Sequence, residues 1–355
     1  MTIKKLVLVG ASPTHLQVIA AYKAAPRADT DVFLVTPTDH AVHGALLGGM
    51  VAGNYPAAQC TALLSNAVKG SAIKIVHGHC TGIDTTTRQV QLGHGHAVHY
   101  DVLSLDARPV VDRDALNTHV AGAKQYAMFT QPPEQFAKLW PQVLAHAAQK
   151  ALHISVLGAG VQGVELAMAL QHRLPTCRVT LIAGPAVPVA QHALGLQRRV
   201  MAALKACNIT VLQDSCIAIE QNCLHLSSGA SLVCDIPIVA IQGQAPAYLA
   251  GSGLELSMDG NLRINNYHQS TSHSHVFADT PACGYGAGTA FNANVRAALD
   301  NKSPKSAVPV SKTLNLIRCG PRKAIASWGA LHFSGGLAWR LHNVINQRWI
   351  RQYTT

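Results

Sequence analysis

"LHISVLGAGVQGVELAMALQHRL", residues 152–174, decides how the chain folds. An apolar run, Ile154–Leu157, stops at Gly158, and from Val161 to Leu170 apolar residues return at helical spacing. "CRVTLIAG", residues 177–184, then supplies a second strand. Strand, glycine turn, helix and strand in that order make a βαβ unit. Gly158, Gly160 and Gly163 complete G-x-G-x-x-G in that setting: one glycine for the tight turn, one for close approach of a pyrophosphate, one for helix–strand packing. The helix start adds free N–H groups and a positive dipole end. A ribose-binding carboxylate is expected about 20 residues further on. That place is held by Ala183 and Gly184, which have no acceptor side chain, and no Arg stands there to suit a 2′-phosphate.

The same plan opens the chain. "IKKLVLVG" (3–10), "PTHLQVIAAYKAA" (13–25) and "DVFLV" (31–35) read as strand, helix and strand. Here the three template positions hold Gly10, Ser12 and His15. Ser12 and Pro13 start a helix well, as hydroxyl cap and first-turn proline. For a bound pyrophosphate they are awkward: Ser12 adds a Cβ, Pro13 removes an N–H, and His15 thickens the helix–strand contact. His15 reads either as a phosphate or flavin contact or as a surface histidine at a helix start.

Between the units, "VHGALLGGMVAGNYP" (42–56) is Gly-rich and apolar. "IKIVHGHCTGID" (73–84) and "RQVQLGHGHAVHYDVLSLD" (88–106) predict a β-meander, with Gly95 near a hairpin turn and residues 100–105 re-entering the sheet. "NKSPKSAVPVSK" (301–312) reads as a linker. The expected architecture is α/β, with two doubly wound nucleotide-binding (Rossmann-like) domains, the first discontinuous, plus an amphipathic C-terminal tail. The expected boundaries are 1–110 with 246–305, then 111–245, and a tail over 306–355.

Composition narrows the classes. The net charge is +11, from 28 Lys and Arg against 17 Asp and Glu, which favours anionic partners. Aromatics are only 5% and the basic residues are scattered, so no nucleic-acid platform is expected. No apolar run approaches the ~18 residues of a spanning helix. The opening "MTIKK" leads straight into a strand, so no secretory signal is expected. Nine Cys residues include no C-x-x-C pair, which predicts reduced thiols and a cytoplasmic setting. Cys60, Cys80 and Cys283 read as packing residues. Histidines at 77–79, 94–99 and 268–275 read as polar loops rather than a metal site.

Taken with "GALLGGMVAGNY", "YDVLSLDA", "GLELSMDGNLRINNYHQSTSHSHVFA" and "NANVRAAL", the two glycine turns resemble the FAD-dependent pyridine nucleotide-disulfide oxidoreductases. The resemblance is to the branch near type II NADH dehydrogenases and sulfide:quinone reductases, including members fused to selenide, water dikinase. It implies FAD at the first turn and NAD(P)H at the second, with "GALLGGM" beside the flavin ring. Cofactor-binding candidates are Gly10, Ala11, Ser12, His15, Thr36 and Gly48, then Gly158, Gly160, Gly163 and Glu165, with Gly243 and Asp279. The late flavin contact departs from the family pattern: Asp279 in "VFADTPACG" has no Gly before it, and Thr280 and Pro281 follow. "GYGAGTAFNANV" puts Gly and Ala where the next helix should begin.

From Leu337 to Tyr353 a helical projection groups Leu337, Leu341, Val344, Ile345 and Trp349 opposite Arg340, Gln347 and Arg351. Such a helix suits a membrane interface, where the resemblance implies quinone-reducing members dock. It would serve equally to pack on its own domain or on a partner subunit. The expected function is an FAD-dependent oxidoreductase passing electrons from NAD(P)H or a small donor to a quinone-like acceptor, cytoplasmic and peripheral on the inner face of the membrane. The alternative is a flavin-less relative kept as a structural or regulatory subunit. No catalytic acid or base stands out.

Overall fold

The apolar run that ends at Gly10 forms the strand Lys4–Val9, with Leu6, Val7 and Leu8 wholly buried. A strand covered on both faces needs this unbroken apolar sequence. The computed structural model describes residues 3–279, 288–306, 314–329 and 331–353. It divides into two units: Met1–Ala41, Ala62–Val110 and Gln244–Ser311 form one, and Val42–Thr61, Val111–Gly243 and Lys312–Thr355 the other.

In the first unit five parallel strands run in the order Val276–Asp279, Val102–Asp106, Lys4–Val9, Thr30–Thr36, Lys74–His77. The helix Pro13–Ala24 crosses between the third and fourth of these, burying Leu16, Val18, Ile19 and Tyr22. Its start follows from sequence: Ser12 caps it by accepting from the His15 N–H, and Pro13 pre-sets the first turn. The meander appears as Cys80–Asp84, Gln89–Leu92 and Ala97–His99, antiparallel, with Gly95 turning at φ +76°. Val102–Asp106 then rejoins the parallel sheet, as the apolar pattern predicts.

The second unit repeats the arrangement in four strands and differs at one edge, where the strand comes before the others in the chain instead of after them. Its parallel sheet runs Met128–Phe129, Ile236–Val239, His153–Leu157, Arg178–Ile182, Thr210–Leu212. Residues 152–182 are strand, turn, helix and strand, with the helix spanning Val161–Arg173. A small antiparallel sheet, Cys216–Glu220, Cys223–Leu226 and Ser231–Val233, follows. The unit also holds the short helix Leu47–Val51 from the Gly-rich stretch, and the antiparallel strands Leu314–Gly320, Lys323–Trp328 and Leu331–Gly335. Of the expected linker, residues 301–306 are irregular and 307–312 lie outside the described residues.

The terminal helix spans Gly336–Tyr353, but its apolar residues do not share one side. Leu337, Leu341 and Val344 are exposed, at 74%, 39% and 65%, whereas Trp349 and Ile350 are buried with His342 and Asn346. The projected single face is therefore two surfaces. One side of the helix, with Ala338, His342, Asn346 and Trp349, packs into its own unit while another presents Leu337, Leu341 and Val344 to solvent.

Candidate functional site

At the second turn each glycine answers to a different constraint. Gly158 sits at φ +111°, and a Cβ there would lie 2.6 Å from the Ala240 carbonyl oxygen. A Cβ on Gly163 would strike the carbonyl oxygen of Gly158. At Gly160, by contrast, a Cβ would meet nothing within 4 Å. That glycine is bare on its open side, which is the requirement for a diphosphate to reach the backbone. The helix beginning there has no side-chain cap and no acid in its first turn, so its leading amides face outward at the positive end of the dipole.

Beside this turn, at the carboxyl ends of the parallel strands, lies a cleft of about 190 Å³. Leu116, Val120, Leu157, Ile182, Val239 and Ile241 make its walls apolar, and Gly158, Ala183, Gly184 and Asp214 line its polar side. This is where open parallel sheets bind nucleotides. The residues present fit the diphosphate and adenosine of NAD(P)H: bare backbone at Gly160, outward amides, and an apolar slot.

The first turn is built differently. Gly10 sits at φ +88°, and a Cβ there would come within 2.6 Å of the Asp106 Cβ. Ser12 and His15 are both wholly buried. The His15 ring meets the Gly10 carbonyl through Nδ1 at 2.6 Å and the Ser104 hydroxyl through Nε2 at 2.7 Å. Both side chains thus turn inward, under the helix, and leave the outer face of the turn to backbone. Amides are fewer, however. Pro13 has none, the His15 N–H donates to Ser12 Oγ at 3.1 Å, and the Leu16 N–H to the Ser12 carbonyl. The Thr14 amide is what the first helical turn keeps for a ligand.

Next to Gly10, Arg108 grips Asp106 with two hydrogen bonds of 2.7 and 2.6 Å. Burial pushes the Asp106 carboxyl up, but Arg108 outweighs it and the net shift is downward. Asp106 is also in register with Asp279 on the adjoining strand. Thr36 ends its strand buried, its hydroxyl donating to the Thr38 carbonyl at 3.3 Å. The structure therefore gathers Gly10, Ala11, Ser12, His15, Thr36 and Asp279 in the first unit; Thr280, Pro281 and Cys283 lie outside the described residues. FAD fits this turn in outline, held by the Gly10–Ser12 backbone and the Thr14 amide.

Gly48, Gly158, Gly160, Gly163, Glu165 and Gly243 belong to the second unit. Gly48 is forced by Glu165, because a Cβ there would lie 2.8 Å from both Cγ and Oε1 of that side chain. Glu165 is buried, with Oε1 3.7 Å from Arg318 Nε. Burial raises its carboxyl from 4.5 to about 7, and the opposing pull of Arg318 is too weak to reverse the shift. Arg318 donates to Asn54 Oδ1 at 2.6 Å and to the Tyr55 hydroxyl at 3.2 Å, and Tyr55 donates to Asn343 Oδ1 at 2.7 Å. A carboxyl poised near neutrality beside a fixed cation can hold or release a proton.

These two turns have counterparts elsewhere. The model of the pyridine nucleotide-disulphide oxidoreductase family matches residues 4–280. The chain belongs to that family. The family's cofactors are FAD and NAD(P)H. Ferroptosis suppressor protein 1 of Xenopus laevis is 29% identical over 191 residues, which cover 47% of this chain and 51% of that protein. The chain thus spans about half the length of the curated relatives it matches. Among solved structures, the sulfide:quinone oxidoreductase of Aquifex aeolicus superposes with TM-score 0.78 at 13% identity, over 99% of this chain and 91% of that one. NDH2 of Plasmodium falciparum in complex with NADH gives 0.72 at 12%, over 99% and 97%. At these identities the likeness is one of fold.

Arg318, Asp106, Arg108 and Asp214 carry no motif, and the sequence reading missed them. Arg108, two residues past the strand end in "YDVLSLDARP", offered a faint signal: a charged residue just beyond a buried parallel strand, where ligands bind.

Proposed function

We propose that this chain is an FAD-dependent oxidoreductase that takes electrons from NAD(P)H and passes them to a quinone-like acceptor. The observation that carries the reading is the second turn, bare at Gly160 and opening on an apolar cleft. When bound, FAD supplies the two-electron acceptor that a nicotinamide needs and a quinone can discharge. The chain's own part is to hold the nucleotide diphosphate on the amides after Gly160 and to seat the adenosine between Leu116, Val120 and Ile182. Glu165, neutral below about pH 7, keeps a proton on its buried carboxyl beside Arg318 and Gly48.

Access to a lipid-soluble acceptor is supported by the outer surface of the second unit. Trp328, Leu331 and Phe333 on the last two strands are exposed at 52%, 63% and 44%, and Leu337, Leu341 and Val344 follow on the terminal helix. Arg340 and Arg348 are exposed on that helix as well. Aromatic and aliphatic side chains rimmed by arginine suit the headgroup region of an anionic bilayer. Among the described residues no helix is long and apolar enough to cross a membrane.

A second reading stands on the first turn, where Pro13 and the Ser12 cap remove helix amides and the Asp106 carboxylate adjoins the bend. It makes the chain a flavin-less member that serves a partner as a structural or regulatory subunit. One preparation separates the two. Purified protein with flavin absorbance, releasing FAD on denaturation and oxidising NADH with a soluble quinone, supports the enzyme; a colourless protein that takes up no added FAD supports the subunit.

A further inference from the structure

The cleft of the second unit lacks an acid at the strand end, where Ala183 and Gly184 stand. The neighbouring strand brings one. Thr210–Leu212 lies parallel to Arg178–Ile182, the Ala183 N–H donates to the Leu212 carbonyl at 2.8 Å, and the Gly184 N–H donates to the Asp214 carbonyl at 3.0 Å. Those bonds set Asp214 beside Gly184, on the cleft wall.

The Asp214 carboxylate is built in rather than left loose. Its Oδ1 accepts from the Ser215 N–H at 2.7 Å and from Ser227 Oγ at 2.5 Å, and its Oδ2 accepts from Ser228 Oγ at 2.5 Å. Hydrogen bonds to the charged form favour it, and the Ser227 and Ser228 hydroxyls hold this carboxyl at about 2. Cys216 is the other titratable side chain of the lining, and burial raises its thiol to about 11, so it is neutral at pH 7. No Lys or Arg is among the described lining residues. Among its described lining residues the cleft therefore carries one fixed negative charge and no balancing cation.

We infer that Asp214 makes this cleft selective for NAD(H) against NADP(H). The adenosine ribose of a nucleotide whose diphosphate lies at Gly160 projects toward the end of the Arg178–Ile182 strand, which is Ala183, Gly184 and their neighbour Asp214. A hydroxyl at the 2′ position is tolerated there. A 2′-phosphate meets a like charge, and repulsion of like charges at short range is reduced by salt. Discrimination thus comes from a residue on the next strand of the sheet, held by a pair of serines from the turn after Cys223–Leu226. The inference rests on the reading of this cleft as the nicotinamide nucleotide site.

Calorimetric titration of the full chain with NADH, NADPH and ADP tests both levels. At low salt NADH is expected to bind at least about tenfold tighter than NADPH. Asp214→Asn should bring the ratio below about threefold, and for the unaltered protein the ratio should shrink toward that value in about 0.5 M salt. If the variant unfolds, the salt series on the natural chain decides alone. Equal affinities, tighter NADPH binding, or a preference untouched by salt and by Asp214→Asn overturns the role of Asp214 while leaving the nucleotide site standing. Failure of NADH, NADPH and ADP alike to bind overturns the cleft's assignment, and the selectivity with it.

Discussion

His15 has no exposed surface, and its ring meets the Gly10 carbonyl and the hydroxyl of Ser104, a residue 89 positions away. Deleting the ring leaves the buried Ser104 hydroxyl and the Gly10 carbonyl without it and a void beneath the helix. His15→Ala should therefore cost about 2–4 kcal/mol in urea unfolding, with Ser104→Ala milder at about 1 kcal/mol. A surface histidine would show neither. Glu165 makes a prediction in pH. Folded, it holds its proton up to about 7; unfolded, it releases it near 4.5. The folded state then binds more protons across that window, so this residue's contribution to stability falls as pH rises from 4.5 to 7. Glu165→Gln should remove up to about 3 kcal/mol of pH dependence there, read from unfolding at several pH values. His342 acts with the opposite sign. Burial, then Arg318, lowers it to about 4, so stability is lost as pH falls from 6.5 toward 4.

At the scale of the elements, the two glycine turns differ in what stands on the ligand side, and substitutions can separate packing from binding. Gly160→Ala adds a methyl in open space, so stability should stay within about 0.5 kcal/mol while NADH affinity falls tenfold or more. Gly163→Ala drives a methyl into the Gly158 carbonyl and should destabilise the unit by more than about 2 kcal/mol, seen in the melting midpoint. Equal effects of the two on stability would contradict the geometry. These turns were legible in sequence because a glycine's role is local: strand before, helix after, no Cβ between. The inward turn of Ser12 and His15 was not legible. It depends on Ser104, a small polar residue on another strand, giving the imidazole a partner and room.

Across the whole chain, two nucleotide-type units each hold a five-stranded parallel sheet, alike in four strands and different in the edge strand, and the second unit exposes a group of apolar side chains. Replacing Leu337, Leu341 and Val344 together by Glu should abolish co-sedimentation with anionic vesicles, with folding stability changed by no more than about 1 kcal/mol because these side chains are exposed. Retained vesicle binding would remove this surface from the function. The terminal helix also shows where periodicity stops being informative. The sequence placed a helix over 337–353 and grouped five apolar residues on it, yet which arc is buried depends on the neighbours. Ala324 and Ala326 pack against Ala338, and His43 sits against Trp349 with ring centroids 4.9 Å apart, so the inward side is set by partners distant along the chain. By itself the sequence determined two strand–turn–helix–strand units, their helix starts and the unequal quality of their turns, since each is written in neighbouring residues as spacing, capping and the absence of a Cβ. Only the tertiary structure decided which charges matter. Arg318 reaches Asn54 across 264 residues, and Asp214 joins the cleft through strand pairing, because a buried or cleft-lining charge is defined by what surrounds it and not by what precedes it.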